Sequence, residues 1–193
     1  MSSVAAGRKV RGSVRTMPTP EFILTLRERI GHDELWLPGV TAIVLKQPPA
    51  DAPIWAVPEV LLVKRADNQQ WTPVTGIVDP REEPHHAAVR EVVEETGLNV
   101  QVEALLGVGQ VGPVEYPNGD VTSYMDTTMR CSVVDDADDT PRVADDESVD
   151  VGWFPISQLP PMQPRFRLVI ADAAAQAKHP AGFRPRMGYA KRT

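Results

Sequence analysis

The segment GIVDPREEPHHAAVREVVEETGL, at residues 76–98, concentrates carboxylates beside a short run of alanine and valine. Its second half has the composition of a helix with defined ends. Pro84 stands in the first turn, where its missing N–H leaves no hydrogen bond unmade. Gly97 follows the last turn, where a left-handed cap is usual. The sequence therefore predicts a helix over residues 83–96.

The predicted helix has two different faces. At about 100° per residue, its three C-terminal glutamates fall within a sector of roughly 100° on one side. They are Glu91, Glu94 and Glu95. The valines, which are able to bury, fall opposite: Val89, Val92 and Val93. Like charges four residues apart destabilise a helix by a few tenths of a kcal/mol. Either this face is solvated, or it holds a hard cation, which prefers oxygen ligands.

The wider spacing favours the cation. Gly76, five residues, Glu82, seven residues and then Arg90-Glu91-Val92-x-Glu94-Glu95-x-Gly97-Leu98 match every fixed position of the Nudix box. From average residue usage, a chance match in this chain is on the order of one in ten million or rarer. The chain resembles the Nudix hydrolases. It departs from many of them at the start of the box, where Thr75 replaces a second glycine.

The resemblance covers roughly residues 39–155 and implies a fold of the α/β class. Family members form an α/β/α sandwich around a mixed β-sheet, here with an N-terminal helix and a C-terminal helix, and the box forms a loop–helix–loop. They hydrolyse a nucleoside diphosphate linked to another group, through attack of water at phosphorus. The resemblance therefore implies a metal-dependent enzyme that cleaves a pyrophosphate linkage.

The resemblance also assigns roles to residues of the box. The implied ligands of Mg²⁺ or Mn²⁺ are Glu91, Glu94, Glu95 and the backbone carbonyl of Gly76. Arg90 would pair with a carboxylate of the box and orient it, a task that suits its rigid fork of donors. Glu82 would brace the loop. Bound metal would neutralise pyrophosphate charge and lower the pKa of the attacking water.

Three residues outside the box are further candidates, each with a plainer alternative. Glu147 lies in an acidic loop where many relatives carry an extra metal ligand or base, although a solvated loop would look the same. Arg65 closes a predicted strand and is positioned to touch substrate phosphate, or it is an ordinary surface arginine. Trp71 either stacks on a base or anchors its loop.

The remaining elements follow from local patterns. Thr19 is a plausible N-cap and Pro20 a first helical residue, and Gly31 ends that helix. Runs of aliphatic residues predict strands at 39–45, 59–64, 99–111, 121–134 and 149–155, and a second amphipathic helix at 164–179. The pair Asn118-Gly119 favours a tight hairpin turn. We expect a basic tail at 1–18 (a solvated tail or a transit peptide), one Nudix domain at 19–180 and a basic tail at 181–193.

Composition limits the partners. A chain of 193 residues suits one domain, and a net charge of −6 disfavours a nucleic-acid partner. Cys131 is the single cysteine, which excludes an intrachain disulfide and fits a cytoplasmic location. No apolar run approaches the roughly 18 residues of a membrane helix. The expected partner is a nucleotide-type small molecule, and a homodimer is left open.

The sequence does not select the substrate. In the family, a proline about fifteen residues past the box resembles the ADP-ribose group, and Pro113 lies 15 residues past Leu98. A tyrosine slightly further on resembles the dinucleoside-polyphosphate group, and Tyr116 lies 18 residues past it. Nucleoside triphosphates also stay open. The alternative from another class is a nucleotide-sensing module on the same fold, but such modules typically lose the box carboxylates that this chain keeps.

Overall fold

The computed structural model of the chain describes residues 19–134 and 138–189. Its three helices are α1 (Glu21–Ile30), α2 (Pro84–Thr96) and α3 (Pro164–Lys178). Its strands are β1 (Leu35–Lys46), β2 (Glu59–Arg65), β3 (Trp71–Thr72), β4 (Val74–Ile77), β5 (Val100–Glu115), β6 (Val121–Val133), β7 (Ser148–Pro155) and β8 (Arg186–Met187). The predicted basic tail at 1–18 and the last four residues of the C-terminal tail lie outside the described residues.

The strands form one mixed sheet, as predicted. Its order is β3-β2-β1-β6-β5-β8, with β4 paired to β1 and β7 paired to β2. β1 runs parallel to β6 and antiparallel to both β2 and β4. The middle of β1, at residues 39–42, therefore pairs with β4, which carries Gly76, while its C-terminal end pairs with β2, which carries Arg65.

Alternation along β1 divides the core between two layers of helices. Side chains of successive strand residues point to opposite faces of the sheet. Val40, Ala42 and Val44 pack with α2 on one face. Ile43 and Leu45 pack with α3 on the other face, and a smaller cluster beneath α1 continues that second face. The result is the predicted α/β/α sandwich.

β1 begins at Leu35, four residues before the predicted strand. The prediction missed these residues because their sequence pattern is irregular. Leu35 and Leu37 are buried under α1, whereas Trp36 between them is 56% exposed. Pro38 interrupts the aliphatic run, but its carbonyl still accepts a hydrogen bond from Val78 N–H at 3.1 Å. At the start of α1, Pro20 occupies the N-cap position rather than the first helical position.

Other local predictions are confirmed. β5 and β6 form a hairpin whose turn contains Asn118 and Gly119, and Gly119 has a φ of 89°, which favours glycine. α1 ends at Gly31, and α3 matches the predicted C-terminal helix to within one residue. Within the parts of the chain that the structure describes, no helix is long and apolar enough to cross a membrane.

The residues after α3 join the sheet. β8 pairs in parallel with β5, and Arg186 forms an ion pair with Asp172 on α3, with 2.7 Å between Nε and Oδ2. The hydroxyl of Tyr189 donates a hydrogen bond to Asp126 on β6. The first part of the predicted tail is thus held against the sheet and α3.

We expect Leu61→Ala to destabilise the fold strongly. Leu61 lies in the centre of β2, is fully buried and packs in the α2-side core. Replacing a buried leucine by alanine costs about 2–5 kcal/mol, because apolar contacts are lost and a cavity is left. Urea denaturation would measure the change in free energy of unfolding. Leu24→Ala is the control, because Leu24 is 53% exposed. Its free energy of unfolding should change by less than about 0.5 kcal/mol. Equal effects of the two changes would contradict this assignment of the core.

Candidate active site

The helix of the carboxylate segment is formed as its sequence predicts. α2 has Glu83 at its N-cap and Pro84 as its first residue. Gly97 adopts the left-handed conformation, with a φ of 70°, and its N–H donates to the carbonyl of Val93 at 2.9 Å. Both ends of α2 could therefore be predicted from Pro84 and Gly97, whose backbone preferences suit those positions.

The buried face of α2 differs from the predicted one. The sheet covers Ala88, Val92 and Glu95, which are spaced four and three residues apart, whereas Val93 is 38% exposed. The expectation that Val93 lies on the buried side is wrong. Helix periodicity shows which residues share a face, but it does not fix which of them contact the sheet. The packing of α2 on β1 and β4 determines that. One consequence is that Glu95 points into the protein and is only 5% exposed.

Arg90 lies at the centre of the carboxylates. Its Nε and Nη2 donate to the two oxygens of Glu82, at 2.9 and 2.8 Å. Its Nη1 donates to Glu91 at 2.8 Å and to Glu94 at 3.1 Å. Nη2 also donates to the carbonyl of Ile77 at 3.0 Å. The sequence suggested one carboxylate partner, and the structure gives Arg90 three together with a backbone contact.

Glu82 holds the loop between β4 and α2. Besides accepting the fork of Arg90, its Oε2 accepts from the N–H of Asp79 at 3.0 Å, and its own N–H donates to the carbonyl of Asp79. The hydrogen bond from Arg90 lowers the pKa of Glu82, which keeps this carboxylate charged. These are the contacts expected of a residue that braces the loop.

Gly76 lies in close contact with the side chain of Glu91. A Cβ at this position would lie 2.0 Å from Cδ of Glu91, so any side chain would displace that carboxylate. Gly76 pairs with Val40 and faces α2, whereas Thr75 pairs with Thr41 and faces the opposite side of the sheet. Thr75 therefore leaves the contact between Gly76 and Glu91 unchanged.

The carboxylates of this site raise one another's pKa. Burial raises the pKa of Glu91 to about 7, and the charges of Glu147 and Glu94 add to the effect. Burial raises the pKa of Glu95 well above its usual range, with contributions from Glu147 and Glu91. The pKa of Glu147 is also raised, first by burial and then by Asp145. These groups therefore share a partly desolvated region in which negative charge is in excess.

Glu147 reaches this region because its loop is tied on both sides. The N–H of Ala144 donates to the carbonyl of Glu95 at 3.1 Å, which joins the loop to α2. The N–H of Ala66 donates to the carbonyl of Glu147 at 2.8 Å, which joins the loop to the end of β2. Of the acids in this loop, Glu147 makes the largest contribution to the raised pKa of Glu91 and of Glu95.

Ser148 is a site residue that the sequence did not reveal. Its Oγ lies 3.3 Å from Oε2 of Glu95 and donates to it. It is buried at the start of β7. A serine at the edge of an acidic loop carries no distinctive pattern, and only the packing of β7 beside α2 brings it to the carboxylate.

Arg65 lies at the edge of the carboxylate region. It forms a two-point ion pair with Asp67, with Nε–Oδ1 at 3.0 Å and Nη2–Oδ2 at 2.9 Å. Its charge also interacts with Glu95 and with Tyr116. Arg65 therefore lies at the C-terminal end of β2, where its charge acts on Glu95 of α2.

Trp71 is placed differently. Its ring makes an edge-to-face contact with Phe154, with centroids 4.7 Å apart, and packs on the core beneath α3. This contact favours the interpretation of Trp71 as an anchor of its segment rather than a platform for a base.

Two of the predicted metal ligands, Glu91 and Glu94, bond to Arg90, whereas Glu95 points into the protein and accepts from Ser148. Within residues 19–134 and 138–189, no group of three or more His, Cys, Asp or Glu side chains is arranged to hold an ion. Glu91 and Glu94 both accept a hydrogen bond from Nη1 of Arg90, so a cationic side chain already contacts these two carboxylates. The chemistry of the donors nevertheless fits a hard divalent cation. Glu91, Glu94 and Glu95 offer carboxylate oxygens and Gly76 a carbonyl oxygen. Burial and neighbouring negative charge raise the pKa of Glu91 and Glu95.

Comparison with known proteins agrees with this geometry. A family model described as the NUDIX domain matches residues 41–173. The human 8-oxo-dGDP phosphatase NUDT18 is 32% identical over 130 residues, which cover 63% of this chain and 38% of that protein. A candidate 8-oxo-dGTP diphosphatase from Bacillus subtilis (strain 168) is 50% identical over 52 residues, which cover 27% of this chain and 35% of that protein.

A solved structure shows the same fold. An ADP-ribose pyrophosphatase from Streptococcus suis 89-1591 superposes with a TM-score of 0.55 at 16% identity, over 79% of this chain and 97% of that one. The chain spans about a third of the length of the curated relatives that it matches. These relatives therefore establish the domain and its fold.

Proposed function

Because the chain belongs to the Nudix family, whose domain model covers residues 41–173, we propose that it is a divalent-metal-dependent pyrophosphohydrolase. Its substrate would be a nucleoside diphosphate derivative, either ADP-ribose-like or a nucleoside triphosphate. One observation carries the proposal: Arg90 bonds to Glu91 and Glu94 on α2, and the loop that carries Glu147 is hydrogen-bonded to the carbonyl of Glu95.

The residues of the box would hold the metal. Glu91, Glu94 and Glu95 are the proposed ligands, with the carbonyl of Gly76. Mg²⁺ and Mn²⁺ are the candidate ions. When bound, such an ion neutralises pyrophosphate charge, polarises phosphorus and lowers the pKa of water. Arg90 keeps the carboxylates at fixed positions through its contacts with them.

Two residues outside α2 have proposed roles in binding and proton transfer. Glu147 accepts a proton from the attacking water, and burial raises its pKa, which makes this carboxylate a stronger base. Arg65 binds phosphate oxygen from the edge of the site, because it lies at the end of β2 and its charge interacts with Glu95. The alternative role of Trp71 in stacking on a base is not part of this proposal.

The names of the relatives support nucleotide substrates. The human and Bacillus proteins are named for action on 8-oxo-dGDP and 8-oxo-dGTP, so oxidised nucleoside triphosphates belong in the set to be tested, with ADP-ribose. We also propose a cytoplasmic location, which the single, buried and unpaired Cys131 supports. A homodimer stays a prediction that light scattering would test.

A panel of substrates tests the function directly. Purified protein would be incubated with ADP-ribose, nucleoside triphosphates, their 8-oxo forms and AMP, in Mg²⁺ and in Mn²⁺, and the products separated by chromatography. We expect release of a nucleoside monophosphate from at least one substrate with two adjacent phosphates, and no reaction of AMP. Binding of nucleotides without any hydrolysis would support the nucleotide-sensing module instead.

We expect Arg90→Lys to lower kcat by about tenfold to a hundredfold, because small displacements of catalytic groups have effects of this size. Lysine keeps the charge but lacks the planar fork that holds Glu82, Glu91 and Glu94 together. Steady-state kinetics on the best substrate would measure the change. The control Arg29→Lys lies on the exposed side of α1 and should leave kcat unchanged. Normal kcat for Arg90→Lys would remove its orienting role.

A further inference from the structure

The segment before β7, at residues 139–147, is held against the C-terminal end of α2. The N–H of Arg142 donates to the carbonyl of Thr96 at 3.0 Å, and the N–H of Ala144 donates to the carbonyl of Glu95 at 3.1 Å. The last carbonyls of a helix have no partner within the helix itself. The segment therefore supplies donors that complete the C-terminal turn of α2.

The guanidinium of Arg142 lies on Gly97, the residue at which α2 ends. A Cβ at Gly97 would lie 2.8 Å from Cζ of Arg142 and 3.0 Å from its Nε and Nη2. A cation is favoured at this end of a helix, because the helix dipole places partial negative charge there. Gly97 therefore meets two requirements: it adopts a φ of 70°, and its missing side chain leaves the space that Arg142 occupies.

The start of the segment is fixed to the sheet. Nε1 of Trp153 donates to the carbonyl of Asp139 at 2.8 Å, and Lys46 forms an ion pair with the carboxylate of Asp139. Trp153 lies on β7 and Lys46 is the last residue of β1. The segment thus runs from an anchor on the sheet to an anchor on α2.

The same segment ends at Glu147, and direct contacts fix its position there. The carbonyl of Glu147 accepts from the N–H of Ala66 at 2.8 Å, just after the end of β2. Ser148, the next residue, has its Oγ 3.3 Å from Oε2 of Glu95. Glu147 therefore lies between the end of β2 and the C-terminal turn of α2, so its position depends on how the segment docks on α2.

The side chain of Arg142 strengthens a junction that its backbone alone would hold weakly. Arg142, Val143 and Ala144 are all exposed. Hydrogen bonds at an exposed surface open readily, because water competes for their donors and acceptors. The contact of the guanidinium with Gly97 adds packing and a favourable charge at the same junction. Loss of this contact should therefore release the segment from α2 while the core beneath α2 stays intact.

We propose that Arg142 is a positioning residue, which keeps Glu147 at the box by holding residues 139–147 on the C-terminal end of α2. The inference rests on the proposed function, in which Glu147 accepts a proton from the attacking water. Arg142 touches neither the water nor the substrate, and it acts only through Glu147. Its removal should therefore lower kcat and leave KM nearly unchanged, because substrate binding does not use this base.

A double-mutant cycle tests the inference. We expect Arg142→Ala to lower kcat on the best substrate by about tenfold to a hundredfold, the effect of a small displacement of a catalytic group. Glu147→Gln should lower kcat by at least about a hundredfold, the usual range for a lost general base. Arg142→Ala added to Glu147→Gln should lower kcat no further, because the group through which it acts is already absent. The control Val143→Ala, in the same segment and 42% exposed, should leave kcat unchanged.

Amide hydrogen exchange gives a second readout that needs no turnover. In Arg142→Ala the amide of Ala144 should exchange at least about tenfold faster, whereas the amide of Val92, in the buried middle of α2, should keep its rate. Unchanged exchange at Ala144 would overturn the inference, and so would losses of kcat that multiply in the double variant.

Two further results have a defined reading. If Arg142→Ala failed to fold, as judged by its melting curve, Arg142→Lys would take its place, since it keeps the charge but has no planar group to lie on Gly97. Absence of hydrolysis in the wild-type protein would contradict the proposed function, and the docking of the segment on α2 would still be measured by exchange at Ala144.

Discussion

Glu94→Gln and Glu95→Gln should each lower turnover by at least about a hundredfold, the usual scale for lost stabilisation of transition-state charge. The amide has nearly the same shape as the carboxylate but no charge to offer a cation. Folding should be unaffected, because Glu95 is buried among other acids that raise its pKa, and a neutral side chain removes that repulsion. Turnover of the best substrate, together with thermal melting, would measure both effects.

Glu83→Gln is the matched control for these variants. Glu83 lies in the same segment, at the N-cap of α2, and its side chain makes no capping hydrogen bond. It is exposed, so the change should leave turnover near the wild-type value. If Glu94→Gln or Glu95→Gln kept near-full turnover in the same assay, that glutamate would not be a metal ligand.

A chelator should abolish hydrolysis, and added Mg²⁺ or Mn²⁺ should restore it. The carboxylates by themselves repel a pyrophosphate, so without a cation they disfavour both binding and the transition state. Product release would be followed before chelation, in excess chelator and after the metal is returned. Circular dichroism in the same samples should show an unchanged fold, because the core beneath α2 is apolar and is held by the sheet. Turnover that survives excess chelator would show that the box serves another chemistry here.

The local elements near the site could be predicted because their signals are short-range. Pro84 and Gly97 define α2 by the backbone conformations that they favour, and the Asn118-Gly119 pair defines the β5–β6 turn. The residues of the box are spaced along one loop and one helix, so the proximity of Arg90 to Glu82, Glu91 and Glu94 follows from a single local unit. The sandwich followed from the family resemblance, and the structure confirms it.

Predictions failed or fell short where a contact depends on rotation or on distant elements. Val93 was expected to be buried, but α2 is rotated so that Glu95 faces the sheet and Val93 does not. Trp36 and Pro38 hid the first residues of β1, because burial there comes from α1 rather than from strand pattern. Ser148 could not be predicted as a site residue from the sequence, since only its hydrogen bond to Glu95 in the folded protein identifies it.

The sequence by itself determined the identity and order of the box groups, the ends of α2 and the α/β class, because these depend on spacing within about two dozen residues and on backbone preference. Only the tertiary structure decided which carboxylates are desolvated and how Glu147 reaches them. Those properties arise where α2 and the loop before β7 meet the sheet. These properties depend on burial and on contacts between distant segments, which no single segment of the chain determines.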